Sequence, residues 1–97
     1  MKLSIEQKMQ RIKRDLDDNC IKYVENRPWH DVTLPLLIPN LGIVIHPDDS
    51  QDFYDAIKFD FHPIFVRDSE TLAFIFEKVH NTIIRETKRA YKNAKKV

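Results

Sequence analysis

The chain has 97 residues, 42% of them hydrophobic and 32% charged, which is the composition of one ordinary globular domain. No apolar run approaches the ~18 residues that would span a membrane, so no membrane partner is expected. A formal net charge of +1 excludes a uniformly basic or acidic chain, and the single cysteine, Cys20, excludes an internal disulfide or a Cys-x-x-Cys site. The opening segment, MKLSIEQKMQ, lacks the apolar stretch of a signal peptide, which points to a cytoplasmic protein.

Residues 4–27 read as one long helix. Ser4 and Gln7 make a capping-box pattern. Ile5, Met9, Ile12, Leu16 and Tyr23 follow at helical spacing, interrupted at Asn19 and flanked by Ile21 and Val24. Pro28 ends the helix, because a residue before proline is driven out of the helical region. Val32 to Ile38 reads as a strand, and Pro35 inside it predicts an edge or bulged strand. Pro39 to Gly42 turns the chain. Gly42, the only glycine, is the candidate for a positive φ or a close backbone approach. Ile43 to Ile45 is apolar throughout, as in a strand buried on both faces.

Asp48, Asp49 and Ser50 are candidate caps for a short helix reaching about Phe59. Phe61 to Arg67 reads as a third strand with Pro63 near its start. Asp68 or Ser69 is expected to cap a last helix, with Leu72, Ile75, Phe76, Val79 and Ile83 on its buried side. The expected class is α+β, in the order α-β-β-α-β-α. The first two strands form an antiparallel hairpin, and the last two are parallel through a right-handed crossover. The single domain spans 1–97, with a leading helix in 1–30, an αβ core in 31–84 and a basic helical extension in 85–97.

This order, with the hairpin LLIPNLGIVIHP and the later strand and turn HPIFVRDSE, resembles the restriction-endonuclease-like superfamily, nearest to the very-short-patch-repair endonuclease type. The resemblance covers residues 31–84. It implies a carboxylate on each hairpin strand, holding a magnesium ion that polarises phosphate and activates water. Laid on that pattern, the first position falls on about Pro35 and the second on about Val44, neither of which binds metal. The family's following acidic position falls near His46, and its lysine has no counterpart in GIVIHP. Some members also keep a third strand before the central helix, which the sequence pattern does not reveal. The resemblance therefore implies a relative without the cleavage site, of a size that suits a mobile-element accessory protein.

Substitute chemistry is sparse. His46, Asp48 and Asp49, with Asp52 a turn further on, form an alternative metal site for a metal-dependent nuclease. Against it, acids before a helix are expected for capping and for the helix dipole. His30, His62 and His80 have no ligand-like spacing and read as structural or surface residues. Cys20, placed in the first helix beside Asp17 and Asp18, has neighbours that raise a thiol's pKa. One glycine cannot make a phosphate cradle, and no cofactor is expected. Trp29 reads as a core plug rather than a stacking platform for bases.

Charge is the strongest asymmetry. Residues 85–97 hold Arg85, Lys88, Arg89, Lys92, Lys95 and Lys96 against Glu86 alone, a net +5, while ten basic and fourteen acidic residues leave the rest at −4. On a helix Arg85, Lys88, Arg89, Lys92 and Lys96 share a face bordered by Lys95 and near Tyr91. That face could follow a nucleic-acid backbone or meet an acidic protein, and its bland reading is a solvated helix end favoured by the dipole. The segment HPDDSQDFYDAIKFD is acidic and could repel nucleic acid or receive a basic partner, including the tail of another copy. The expected function is a non-catalytic binding domain acting through its basic C-terminal helix. The alternatives are the metal-dependent nuclease and a homo-oligomeric structural module built on the apolar stripe of the first helix, with a homodimer as a possible form.

Overall fold

The computed structural model describes residues 2–95 of the chain, and their side chains through Asn93. Its first helix, α1 (Ile5–Asp18), begins as the capping box dictates. Ser4 Oγ accepts from the Gln7 amide at 3.1 Å, and the Gln7 side chain accepts from the Ser4 amide at 2.8 Å. The helix ends at Asp18 rather than running to Pro28, which corrects the expected span. Cys20 takes a left-handed backbone with φ 58°. The Cys20 amide bonds the Asp17 carbonyl and the Ile21 amide bonds the Leu16 carbonyl. This crossed pair of bonds closes the helix in the manner normally built on glycine. Cys20 is thus an exposed residue beyond the helix, not part of it.

The chain released there forms an extra strand, β1 (Val24–Trp29), so the observed order is α-β-β-β-α-β-α. A two-residue loop, His30–Asp31, joins the Trp29·Val32 pair, with His30 at φ 53°. Tight hairpin loops need such a conformation to match the strand twist. Next come β2 (Val32–Ile38), β3 (Ile43–His46), α2 (Gln51–Ile57), β4 (His62–Phe65) and α3 (Leu72–Lys95). The sheet order is β1-β2-β3-β4. The β1–β2 and β2–β3 pairs are antiparallel, and β3–β4 is parallel through the α2 crossover. The α+β class with a small mixed sheet packed by helices holds.

Pro35 does not put β2 at an edge, because β1 covers that side. The ladder instead skips the Asn26·Pro35 rung, where Asn26 sits at φ 52°, and β2–β3 pairing involves only Leu36 to Ile38. No ladder bond is asked of the proline nitrogen, which is how an interior strand tolerates it. Gly42, at φ 66°, turns β2 into β3. Its amide bonds the Ile38 carbonyl, and its own carbonyl accepts from His62 at 2.8 Å, fixing where β4 starts.

Two apolar layers sandwich the sheet. On one face Leu36, Ile38, Ile43, Ile45, Ile64 and Val66 meet Ile12 and Leu16 of α1 and Ile75 and Val79 of α3. On the other, Leu34, Leu37 and Val44 meet Phe53 and Ile57 of α2. Trp29 packs into that second layer, edge-on to Phe61 with ring centroids 4.9 Å apart. The α1 stripe packs on the chain's own core: Ile12 and Leu16 are fully buried, and the partly buried Ile5 and Met9 lean on the same cluster. His80 Nε2 joins Asp15 Oδ2 at 2.5 Å, tying α3 to α1.

Residues 66–71 connect β4 to α3, and α3 is capped by Thr71, whose hydroxyl accepts from the Phe74 amide, not by Asp68 or Ser69. Two lysines hold this connection. Lys8, only 3% exposed, donates to the Asp68 and Glu70 carbonyls, each at 2.6 Å. Lys78 donates to the Phe65 carbonyl and to the Glu70 carboxylate.

Candidate functional site

The basic residues are carried by the end of α3. At 24 residues this helix is about 36 Å long, outreaching the four-residue strand β4 beside it. Among the residues whose side chains are described, its last buried one is Glu86; residues 87–93 are all exposed, including Ala90, which lies on the side that faces the core further up. From Glu86 to Lys95 about 13 Å of helix leaves the body. Arg85, Lys88, Arg89, Lys92 and Asn93 line one groove of 350 Å³ on this arm. Lys95 belongs to the helix with its side chain beyond those described, and Lys96 lies outside the described residues.

The cations are not equivalent. Glu86, 5% exposed, accepts from Arg85 Nε at 3.0 Å and from Arg89 at 3.5 Å, and its carboxylate lies 2.9 Å from His62 Nε2. Burial works to raise its pKa, but Arg85, His62 and Arg89 together hold it below the usual carboxylate value. Arg85 and Arg89 are thereby partly neutralised and steered along the helix. Lys88 and Lys92 have no ion-pair partner among the described residues. They form the exposed charge of the arm. The role of Glu86 escaped the sequence reading, although a lone acid one and three residues from arginines in a basic run is a legible sign of an anchor.

The second feature lies at the far end of the parallel strands. His46 closes β3, is 3% exposed, and sits between a tilted Phe53 ring and a stacked Phe65 ring, with centroid distances of 4.5 and 5.8 Å. Its Nδ1 is 2.8 Å from the Asp48 carbonyl, which can only accept, so Nδ1 carries the proton. Its Nε2 is then a lone-pair acceptor, buried with no protein partner. Burial lowers the His46 pKa, and Lys78 lowers it further against the opposing pull of Asp48. His46, Asp48, Asp49, Ser50, Gln51, Tyr54, Pro63 and Phe65 line a pocket of 330 Å³ there.

The metal reading of His46, Asp48 and Asp49 gains no support from this geometry. The imidazole is tied to the Asp48 backbone. The Asp48 carboxylate accepts from the Ser50 amide, which together with the Ser50 hydroxyl draws its pKa down. Ser50 in turn caps α2 by accepting from the Phe53 amide at 3.2 Å. Among the described residues no group of three or more His, Cys, Asp or Glu side chains is placed to hold a metal ion.

The hairpin positions aligned with magnesium ligands are equally plain. Val44 is fully buried in the α2 layer, and Pro35 borders a shallow groove with Glu6, Gln10, Lys13, Glu25 and Pro47. There Lys13 and Glu25 pair with each other at 2.6 Å. His62 and His80 serve Glu86 and Asp15, and His30 sits exposed in the β1–β2 turn. No protein-family model, curated protein or solved structure matches the chain.

Proposed function

We propose that this chain is a non-catalytic binding domain of restriction-endonuclease-like character that grips a nucleic-acid backbone with the projecting end of α3. The observation that carries this reading is the arm itself: a helix that outruns its core, with Arg85, Lys88, Arg89 and Lys92 along one groove. A bare helix end needs no buried carboxylate to orient its arginines, whereas a phosphate-contact surface profits from cations held in register. The lack of cleavage chemistry rests on Pro35 and Val44 at the ligand positions.

The test is fluorescence anisotropy with short single- and double-stranded nucleic acids, comparing the wild type with a Lys88→Glu/Lys92→Glu variant. The expected result is binding at low salt that the double charge reversal abolishes, with unfolding curves unchanged. Equal binding by the two proteins, or none by the wild type at low salt, overturns the proposal.

A further inference from the structure

The His46 pocket and the α3 arm are complementary in charge, and one molecule cannot bring them together. Beside the pocket, residues 48–58 carry Asp48, Asp49, Asp52 and Asp55 against Lys58 alone. Lys58 is used up on Asp55 at 3.0 Å. Nearby cations are similarly engaged: Lys78 on Glu70 and the Phe65 carbonyl, and Arg67 over the Phe65 ring at 5.4 Å. The acids alone would be a solvated surface. The independent sign of a ligand is His46 Nε2, a buried acceptor without a partner in a side chain that lines the pocket. An unsatisfied buried acceptor is destabilising, and a donor from a ligand would satisfy it.

The donor's chemistry follows from the walls. Tyr54 and Phe65 are aromatic, Pro63 is apolar, and Asp48 and Asp49 are carboxylates. An N–H cation on an aliphatic stem suits all three, since rings and carboxylates both attract it and the stem covers the apolar wall. The volume of 330 Å³ is at the small end for ligand sites and fits a group of side-chain size.

We infer that the pocket is a socket for a lysine or arginine of the α3 arm of a second copy of this chain. The arm leaves the body beside His62, the first residue of β4, on the α1–α3 face of the sheet. The pocket opens beside Phe65, the last residue of β4, on the α2 face. Opposite ends and opposite faces exclude contact within one molecule, so the pairing runs head to tail between molecules. Such a contact is heterologous and extends into chains or rings rather than stopping at a two-fold dimer.

The experiment is sedimentation velocity at low and high salt, with two variants that leave the core and the Ser50 cap in place. Asp49→Lys/Asp52→Lys spoils the socket and leaves the arm intact; Lys88→Glu/Lys92→Glu does the reverse. The wild type is expected to gain mass with concentration at low salt and to return to monomer at high salt. Each variant alone stays monomeric, and a mixture forms a one-to-one pair and no larger species, because one intact arm meets one intact socket. A wild type that stays monomeric throughout, a variant that still associates alone, or a mixture that stays monomeric overturns the inference. Nucleic-acid binding by Asp49→Lys/Asp52→Lys, whose arm is intact, is scored separately, so loss of one proposal is distinguishable from loss of the other.

Discussion

Single residues decide where this chain departs from its own pattern. Cys20 is the clearest. It occupies, at φ 58°, the position after a helix where glycine is favoured, and the bonds from Cys20 and Ile21 show that the motif is complete without one. A sequence scan looks there for glycine or asparagine, finds cysteine, and sees Ile21 and Tyr23 prolonging the apolar spacing; the break was therefore illegible. Cys20→Gly is expected to raise unfolding stability by about 1 kcal/mol, the strain removed from a left-handed β-carbon, as read by urea denaturation. A destabilised variant would contradict that account.

His46 makes a second prediction. Its pKa in the fold lies below the usual 6.5 because of burial. Below 6.5 the unfolded chain takes up a proton that the fold refuses, so stability falls as pH drops from the unfolded value through the folded one. His46→Leu lacks this proton, so the wild type should lose more stability than the variant between about pH 7.5 and about pH 5.5. Parallel curves would remove His46 from the acid response.

At the scale of elements, most of the framework was readable. The bounds of β2 follow from VTLPLLI, and the all-apolar IVI of β3 marks a strand covered on both faces, with Leu36 and Ile45 paired and fully buried. β1 was not readable, since Val24 to Pro28 are all exposed and carry no alternation of apolar and polar residues. An edge strand is specified by its partner and its turn more than by its own side chains. The connection before α3 was also hidden. Its capping residue, Thr71, lies past Asp68 and Ser69, and the segment is held by Lys8, sixty residues away in sequence from the Asp68 carbonyl it bonds. Lys8→Met keeps the stem and removes the two hydrogen bonds. It should cost about 2 kcal/mol of stability and raise amide exchange across residues 66–71 before the rest of the molecule. Unchanged exchange there would mean that Lys8 is not the clamp.

For the whole molecule, the dominant fact is segregation: a near-neutral chain splits into an acidic body and a basic arm, and the fold sets the two apart. The charge runs were plain in the sequence, but their placement at opposite ends of β4 was not, because it depends on α3 running back along the sheet. The proposed phosphate-contact role of the arm is tested most directly by the salt dependence of nucleic-acid affinity. Truncation before Arg85 would also strip Glu86 from His62, so point substitution is the cleaner design. The measurement is the slope of log affinity against log salt for the wild type and for Lys88→Gln/Lys92→Gln. Each neutralised phosphate contributes about −0.9 on duplex DNA, so losing two free lysines should flatten the slope by about 2 units. A slope that is the same in both proteins would contradict the account and leave α3 as a solvated helix end.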